Sequence, residues 1–195
     1  MTDSNTIISK IKFSAKYAFF DLGGVVFTFS DGLQAIAELI HQPLQDIVAY
    51  WNLQDNYICM GKLDPQQFWI KLTSHFSSGD PNMDFVKFWV SHFKPIQETH
   101  NAIKILNSEG FPIGIITNIY PRVFRRAMEQ GMIPNINYQT IVQSCDLGIT
   151  KPNLQIFTYA INQTDLTPRD VILVDNIIQN TQAVTRLGWN SFLLK

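Results

Sequence analysis

The chain alternates short apolar runs with longer stretches in which apolar residues recur every three or four positions. AFFDLGGVVF (residues 18–27) is the first such run, broken by one acid, Asp21, and two glycines, Gly23 and Gly24. The pattern predicts a buried strand ending in a backbone-exposing loop, with the carboxylate at the strand's carboxyl end. An ionised acid in apolar company is costly unless something pairs with it. Asp21 is therefore the first candidate for chemistry. Further strands are predicted at FPIGIIT (111–117), after the helix-stop signal NSEG, and at the β-branched run YQTIVQS (138–144). DVILVD (170–175), after TPR, and NSFLLK (190–195), after Gly188, complete the set. The intervening segments THNAIKILNSEG, YPRVFRRAMEQGM, NLQIFTYAINQ and NTQAVTRLGW carry helical spacing. Alternating strand and helix predicts an α/β fold, a parallel sheet covered by helices on both faces. Such a sheet places functional residues at the carboxyl ends of its strands.

Residues 30–94 break the alternation. AIAELI, DIVAYWNL, PQQFWIKL and MDFVKFWVSHF read as four amphipathic helices, punctuated by Pro43, Pro65 and the SSGDPN run at 77–82. A helical bundle inserted after the first strand is predicted, leaving 1–29 and 95–195 as the sheet domain. Trp51, Phe68, Trp69, Phe88 and Trp89 are expected to pack the bundle core.

Composition adds mostly exclusions. Apolar residues make up 46% and charged residues 16%, as in a globular chain with one well-buried core. The net charge is −1 and no run of Lys or Arg exceeds two, so binding to nucleic acid or an anionic membrane has no electrostatic basis. No segment is long and apolar enough to span a bilayer, and the polar start lacks a small-residue cleavage site. A cytoplasmic protein is expected. Cys59 and Cys145 lack metal-ligand spacing and read as reduced thiols. His41, His75, His92 and His100 are scattered, none at ligand spacing from another. Arg122, Arg125 and Arg126 read as a solvated helix face, with Arg122 nearest a strand end. Asp146 reads as a turn residue.

Four sites recur at strand ends: Asp21 before Gly23-Gly24, Thr117-Asn118 after GII, Lys151-Pro152 within SCDLGITKPNLQIF, and Asp175-Asn176 after VILV with Asn180 beyond. Singly, each fits a cap, a turn or a loop lysine. Their order resembles the haloacid dehalogenase-like hydrolase superfamily. FDLGGVV is similar to its first motif, IITN to its second, the lysine of GITKP to its third and VDNIIQN to its fourth. The stretch SCDLGITKPNLQIF and the helical insert resemble in particular the small phosphatase branch. That branch includes bacterial glucose-1-phosphate phosphatases and the N-terminal domain of epoxide hydrolases. The resemblance implies a Rossmann-like sheet with an inserted helical cap, and Mg²⁺-dependent hydrolysis of a small phosphorylated metabolite.

On that resemblance Asp21 is the nucleophile, forming an aspartyl-phosphate. Thr117, Asn118 and Lys151 hold the phosphoryl charge, and the N–H groups of Gly23 and Gly24 form an anion nest. Lys151 also keeps Asp21 ionised. Magnesium falls to Asp21, Gly23, Asn176 and Asp175, supported by Asn180. Two residues depart from the family pattern. Gly23 stands where many members carry a second Asp as general acid, which leaves the leaving-group acid unassigned. Asn176 replaces the metal-binding acid with a neutral carbonyl, so weak magnesium affinity is expected. Two alternatives remain open: a degenerate member acting as a binding or regulatory protein, and a metal-independent 2-haloacid dehalogenase. The second lacks support, because residues 30–61 contain no Arg. Neither substrate identity nor oligomeric state is legible.

Overall fold

The polar start of the chain, which the apolar pattern leaves blank, folds as a helix, α1 (Ser4–Ser14). The Asp3 carboxylate caps it by accepting from the N–H groups of Asn5 and Thr6, satisfying donors that have no partner within the helix. Only Ile7 and Ile11 are buried, a stripe too narrow to stand out among polar neighbours. The computed structural model describes residues 2–195, Ser30 by its backbone only; Met1, the first residue of the expected sheet domain, lies outside the described residues.

The first strand, β1 (Tyr17–Phe20), is followed by a two-residue strand, β2 (Phe27–Thr28). Four helices come next: α2 (Ser30–Leu39), α3 (Leu44–Cys59), α4 (Pro65–Phe76) and α5 (Phe85–Ser91). The start of α4 shows why the sequence is legible there. Asp64 accepts from the N–H groups of Gln66 and Gln67, and Pro65 opens the helix, where no N–H is needed. The chain returns through β3 (Lys94–Pro95), which pairs antiparallel with β2. This short ribbon brings both ends of the helical segment to one place, and its two-residue strands are too short for any periodicity.

Beyond it the alternation runs as predicted with one exception: α6 (Gln97–Ser108), β4 (Ile113–Thr117), α7 (Val123–Glu129), β5 (Thr140–Gln143), α8 (Ser144–Leu147), α9 (Leu154–Ile161), β6 (Val171–Asp175), α10 (Ile178–Arg186) and β7 (Asn190–Leu193). The exception is α8, a short unpredicted helix that begins at Ser144, where the strand was expected to end. The five long strands form one parallel sheet in the order β5-β4-β1-β6-β7. β1 is central, with Ala18 opposite both Ile113 and Ile172. Successive side chains point to opposite faces of a strand, and β1 divides accordingly. Tyr17 and Phe19 join an apolar cluster with α9 and α10. Ala18 and Phe20 join a larger cluster that holds α1, α6 and the buried faces of α2–α5. With both faces covered, the strands read as continuous apolar runs. Because β1, β4 and β6 are parallel neighbours, their carboxyl ends share one edge of the sheet.

Candidate active site

At that edge the polar residues following each apolar run converge. Asp21 follows β1 directly, Thr117 ends β4 and Asp175 ends β6. Lys151, from the loop between α8 and α9, reaches between the two acids. Its Nζ lies 2.8 Å from Asp21 Oδ1 and 2.7 Å from Asp175 Oδ2. The lysine side chain is only 1% exposed and Asp175 is fully buried. Asp175 has no spare acceptor. Its Oδ1 takes the Ile177 N–H at 2.8 Å, and Asn180 Nδ2 reaches both oxygens at 3.1 and 3.0 Å. Lys151 is itself held through its backbone. Its N–H donates to Asn118 Oδ1 at 2.8 Å, and Asn118 Nδ2 donates back to the Lys151 carbonyl at 3.0 Å.

Two buried carboxylates thus share one ammonium. Burial pushes the Asp21 carboxyl above its ordinary value; Lys151 opposes that push and Asp175 adds to it. The expectation that Lys151 keeps Asp21 ionised is therefore only half the balance, since desolvation is the larger effect.

Asp21 and Lys151 form the floor of a cavity of about 720 Å³. Two further polar atoms in its lining, Thr117 Oγ1 and Asn176 Oδ1, are buried without any hydrogen-bond partner among the described residues. Buried polar groups are rarely left unsatisfied. An orphaned hydroxyl and an orphaned carbonyl in the lining that also holds Asp21 point to a ligand. The loop after β1 is shaped around them. Gly24 has φ +78°, and a Cβ there would lie 2.3 Å from Asn176 Nδ2, so only glycine lets that amide pack against the backbone.

Much of the remaining lining is aromatic. Trp51 and Trp89 from the inserted helices, Phe27 and Phe93 from the ribbon region, and Tyr120 beyond β4 all line the cavity. Among these rings Asp55 of α3 accepts a short hydrogen bond from the Tyr120 hydroxyl and one from Trp51 Nε1 at 3.3 Å, both at Oδ1. Burial, reinforced by the neighbouring Asp55, holds the Tyr120 hydroxyl well above its ordinary value and so protonated. Ser144 Oγ donates to the Cys59 carbonyl at 2.6 Å, and Thr150 Oγ1 to Asn56 Oδ1 at 3.2 Å. These bonds fasten α3 to the loops that carry the lysine.

Known proteins place this chain in a family. The family model for haloacid dehalogenase-like hydrolases matches residues 20–193, from the residue before Asp21 to the end of β7. The chain belongs to that family. Among characterised relatives, a sesquiterpene phosphatase of Aspergillus oryzae is 23% identical over 177 residues, covering 89% of this chain and 86% of its own. A haloacid dehalogenase family enzyme of Bacteroides thetaiotaomicron, solved with magnesium and inorganic phosphate, superposes with a TM-score of 0.75 at 15% identity, covering 93% of this chain and 94% of its own. An L-2-haloacid dehalogenase of Xanthobacter autotrophicus superposes at 0.67 and 13% identity, covering 91% and 76%. At such identities the solved structures speak for the fold alone.

In this haloacid dehalogenase-like hydrolase, several expected roles change with the geometry. Asp175 is not placed to hold a metal, because its oxygens are taken by Lys151, Asn180 and the Ile177 N–H. It positions the lysine, and Asn180 supports it. The Asn118 side chain is spent on the Lys151 backbone and does not face a phosphate. The Gly24 N–H donates to the Phe27 carbonyl at 2.7 Å, so the expected nest loses that donor. Arg122 pairs with Asp64 at 2.9 Å and does not line the cavity. Among the described residues no histidine lines the cavity, and Asp146 accepts from Gln143 at 2.9 Å. Burial pushes the Cys59 thiol up strongly and that of Cys145 up to about 12, which keeps both neutral. Trp51 and Trp89 pack the helical core as expected and also form cavity wall. Asp55 was not singled out in the sequence. Its signal is its place four residues from Trp51 and from Cys59, a lone acid on an otherwise buried stripe of α3.

Magnesium fits what the cavity offers. Asn176 Oδ1 is an unpartnered carbonyl in a lining that also holds Asp21 and Gly23, whose carboxylate and backbone carbonyl are oxygen donors of the kind a hard dication takes. Among the described residues no cluster of three acids, histidines or cysteines is present, so the donor set is poor in charge.

Proposed function

We propose that the chain is a magnesium-dependent phosphomonoesterase that works through an aspartyl-phosphate on Asp21. The observation that carries this reading is the buried Asp21–Lys151 pair lining one cavity with the unpartnered Thr117 hydroxyl and Asn176 carbonyl. The Asp21 carboxylate attacks phosphorus, splitting one hard displacement into two easier ones. Thr117 donates its free hydroxyl, and Lys151 its ammonium, to oxygens on which charge is spread in the transition state. Asp175 and Asn118 keep the ammonium in place while this happens. Asp21, the Gly23 carbonyl and Asn176 Oδ1 would hold the magnesium, which when bound neutralises phosphoryl charge crowded against the carboxylates. The four inserted helices act as a cap whose rings exclude water from the reacting centre.

The aromatic wall favours the phosphate ester of a small apolar or aromatic alcohol over that of a polyhydroxylated sugar. Such an alcohol buries against rings without leaving hydroxyls unpaired. The sesquiterpene phosphatase among the relatives supports the same direction. A binding or regulatory role is the second reading, favoured by the neutral Asn176 where the family carries an acid. One assay separates them: 4-nitrophenyl phosphate with magnesium, for the wild type and Asp21→Asn. Turnover in the wild type that falls roughly 10³-fold or more in the variant is expected. Turnover that survives the substitution overturns the nucleophile, and absence of turnover with no magnesium binding favours the second reading.

A further inference from the structure

Removal of a phosphate from an alcohol needs a proton for the departing oxygen, and the loop after β1 has none to give. Gly23 occupies the place from which an acid would reach, and a Cβ there would lie 2.9 Å from a ring carbon of Phe29. Lys151 is pinned between two carboxylates and is the cation that holds them together. Among the described residues the cavity lining holds one carboxyl besides that of Asp21, on Asp55.

Resting on the phosphatase reading, we propose that Asp55 is the catalytic acid and base, supplied from the inserted helices instead of from the loop after the nucleophile. Three observations carry it. Asp55 makes no ion pair among the described residues, so no cation competes for its oxygens. Asp55 lines the cavity; its Oδ1 is tethered by Tyr120, Trp51 and, at 4.0 Å, the Cys59 thiol, while Oδ2 has no partner among the described residues. Its helix is fastened beside the reacting loops on both flanks. Thr150, next to Lys151, bonds Asn56, next to Asp55, and Ser144 bonds the Cys59 carbonyl one turn on. The acid therefore sits on a fixed element, as precise proton transfer requires.

In the first step an Asp21 oxygen bonds to phosphorus as the bond to the ester oxygen breaks. The electron pair leaves with that oxygen, which takes the Asp55 proton and departs as the alcohol. In the second step the Asp55 carboxylate takes a proton from water as the water oxygen bonds to phosphorus. The bond to Asp21 breaks, inorganic phosphate leaves, and both residues return to their starting states.

A leaving group that needs no proton exposes the role. Asp55→Asn, whose amide still accepts from Tyr120, is compared with the wild type on 4-nitrophenyl phosphate and on benzyl phosphate, with magnesium, by rapid mixing. On 4-nitrophenyl phosphate the variant is expected to release about one equivalent of nitrophenolate in a burst and then turn over roughly 10²–10⁴-fold more slowly, because only the water step has lost its base. On benzyl phosphate the same loss is expected with no burst, because bond breaking has lost its acid. Unchanged rates, or equal losses on both esters with no burst, overturn the assignment. Should the variant not fold, as judged by thermal unfolding, Tyr120→Phe takes its place. A loss on benzyl phosphate that exceeds the loss on 4-nitrophenyl phosphate is then expected, and equal losses count against the assignment. Turnover that depends on Asp21 but not on Asp55 removes this proposal alone, whereas an inactive wild type removes the phosphatase reading with it.

Discussion

At the scale of single residues, the site is governed by a shortage of positive charge. Asp21 and Asp175 present two carboxylates to the single ammonium of Lys151, all three nearly or fully buried. A third acid would worsen the excess in the free protein and improve the site for a dication. Asn176→Asp is therefore expected to do both. In chelator its melting temperature should fall by roughly 2–4 °C for each kcal/mol of added repulsion. Magnesium should restore it, with an affinity about tenfold or more above that of the wild type. Calorimetric titration with magnesium and melting curves with and without EDTA check this; equal affinities in the two proteins would remove Asn176 from the metal site. The sequence announced the acids, the threonine and the lysine, because each is a polar residue closing an apolar run or following one. It could not announce how they divide the labour. That Asp175 serves Lys151, and that Asn118 clasps its backbone, depends on which loops meet across the sheet edge. Chain order carries no trace of that meeting.

At the scale of elements, legibility followed the strength of the periodic signal. The five long strands and the longer helices between them have apolar runs or stripes of several residues and stand where expected, whereas the one-turn α8, with only Ser144 buried, has no stripe to read. The helix α1 did not, because two buried isoleucines in a polar segment make a weak stripe, and the β2–β3 ribbon is too short to have a period. The turn after β1 was visible as two glycines, but their separate reasons were not. Gly24 needs its positive φ and also the absence of a side chain against Asn176, whereas Gly23 faces Phe29. Gly24→Ala thus strains the backbone and drives a methyl group into the Asn176 amide. A loss of stability beyond ~1 kcal/mol is expected, larger than the few tenths typical of a tolerated surface change. Magnesium affinity should weaken with it, since the amide that must turn away carries the orphaned carbonyl. Urea unfolding and the same magnesium titration report on both. A variant as stable as the wild type with full metal affinity would show that the loop relaxes without moving Asn176.

At the scale of the whole molecule, the apolar cluster on one face of the sheet continues without a break into the inserted helices, from Ala18 and Phe20 through Ile36, Trp51 and Phe68. Helices and sheet that share one core unfold together, so a single transition is expected, and a local protonation should register as a global change in stability. His100 provides that protonation. It is buried on α6, with its Nε2 3.2 Å from the Met132 carbonyl beyond α7. Burial holds its imidazole below the ordinary value of 6.5, and the nearby Lys104 charge lowers it further. The unfolded chain therefore takes up a proton near pH 6.5 that the folded chain refuses. Stability from this group is fully present above pH 6.5, declines as the pH falls below that value, and stops declining once the folded imidazole is itself protonated. Within that window the slope approaches about 1.4 kcal/mol per pH unit for one whole proton. His100→Gln keeps a donor toward the Met132 carbonyl and removes the titration. Its unfolding free energy should fall less steeply than that of the wild type between pH 6.5 and 5, although the carboxylates act alike on both. Parallel lines across that interval would mean that the folded chain accepts the proton as readily as the unfolded one, through an opening of the α6 packing that a single shared core does not allow.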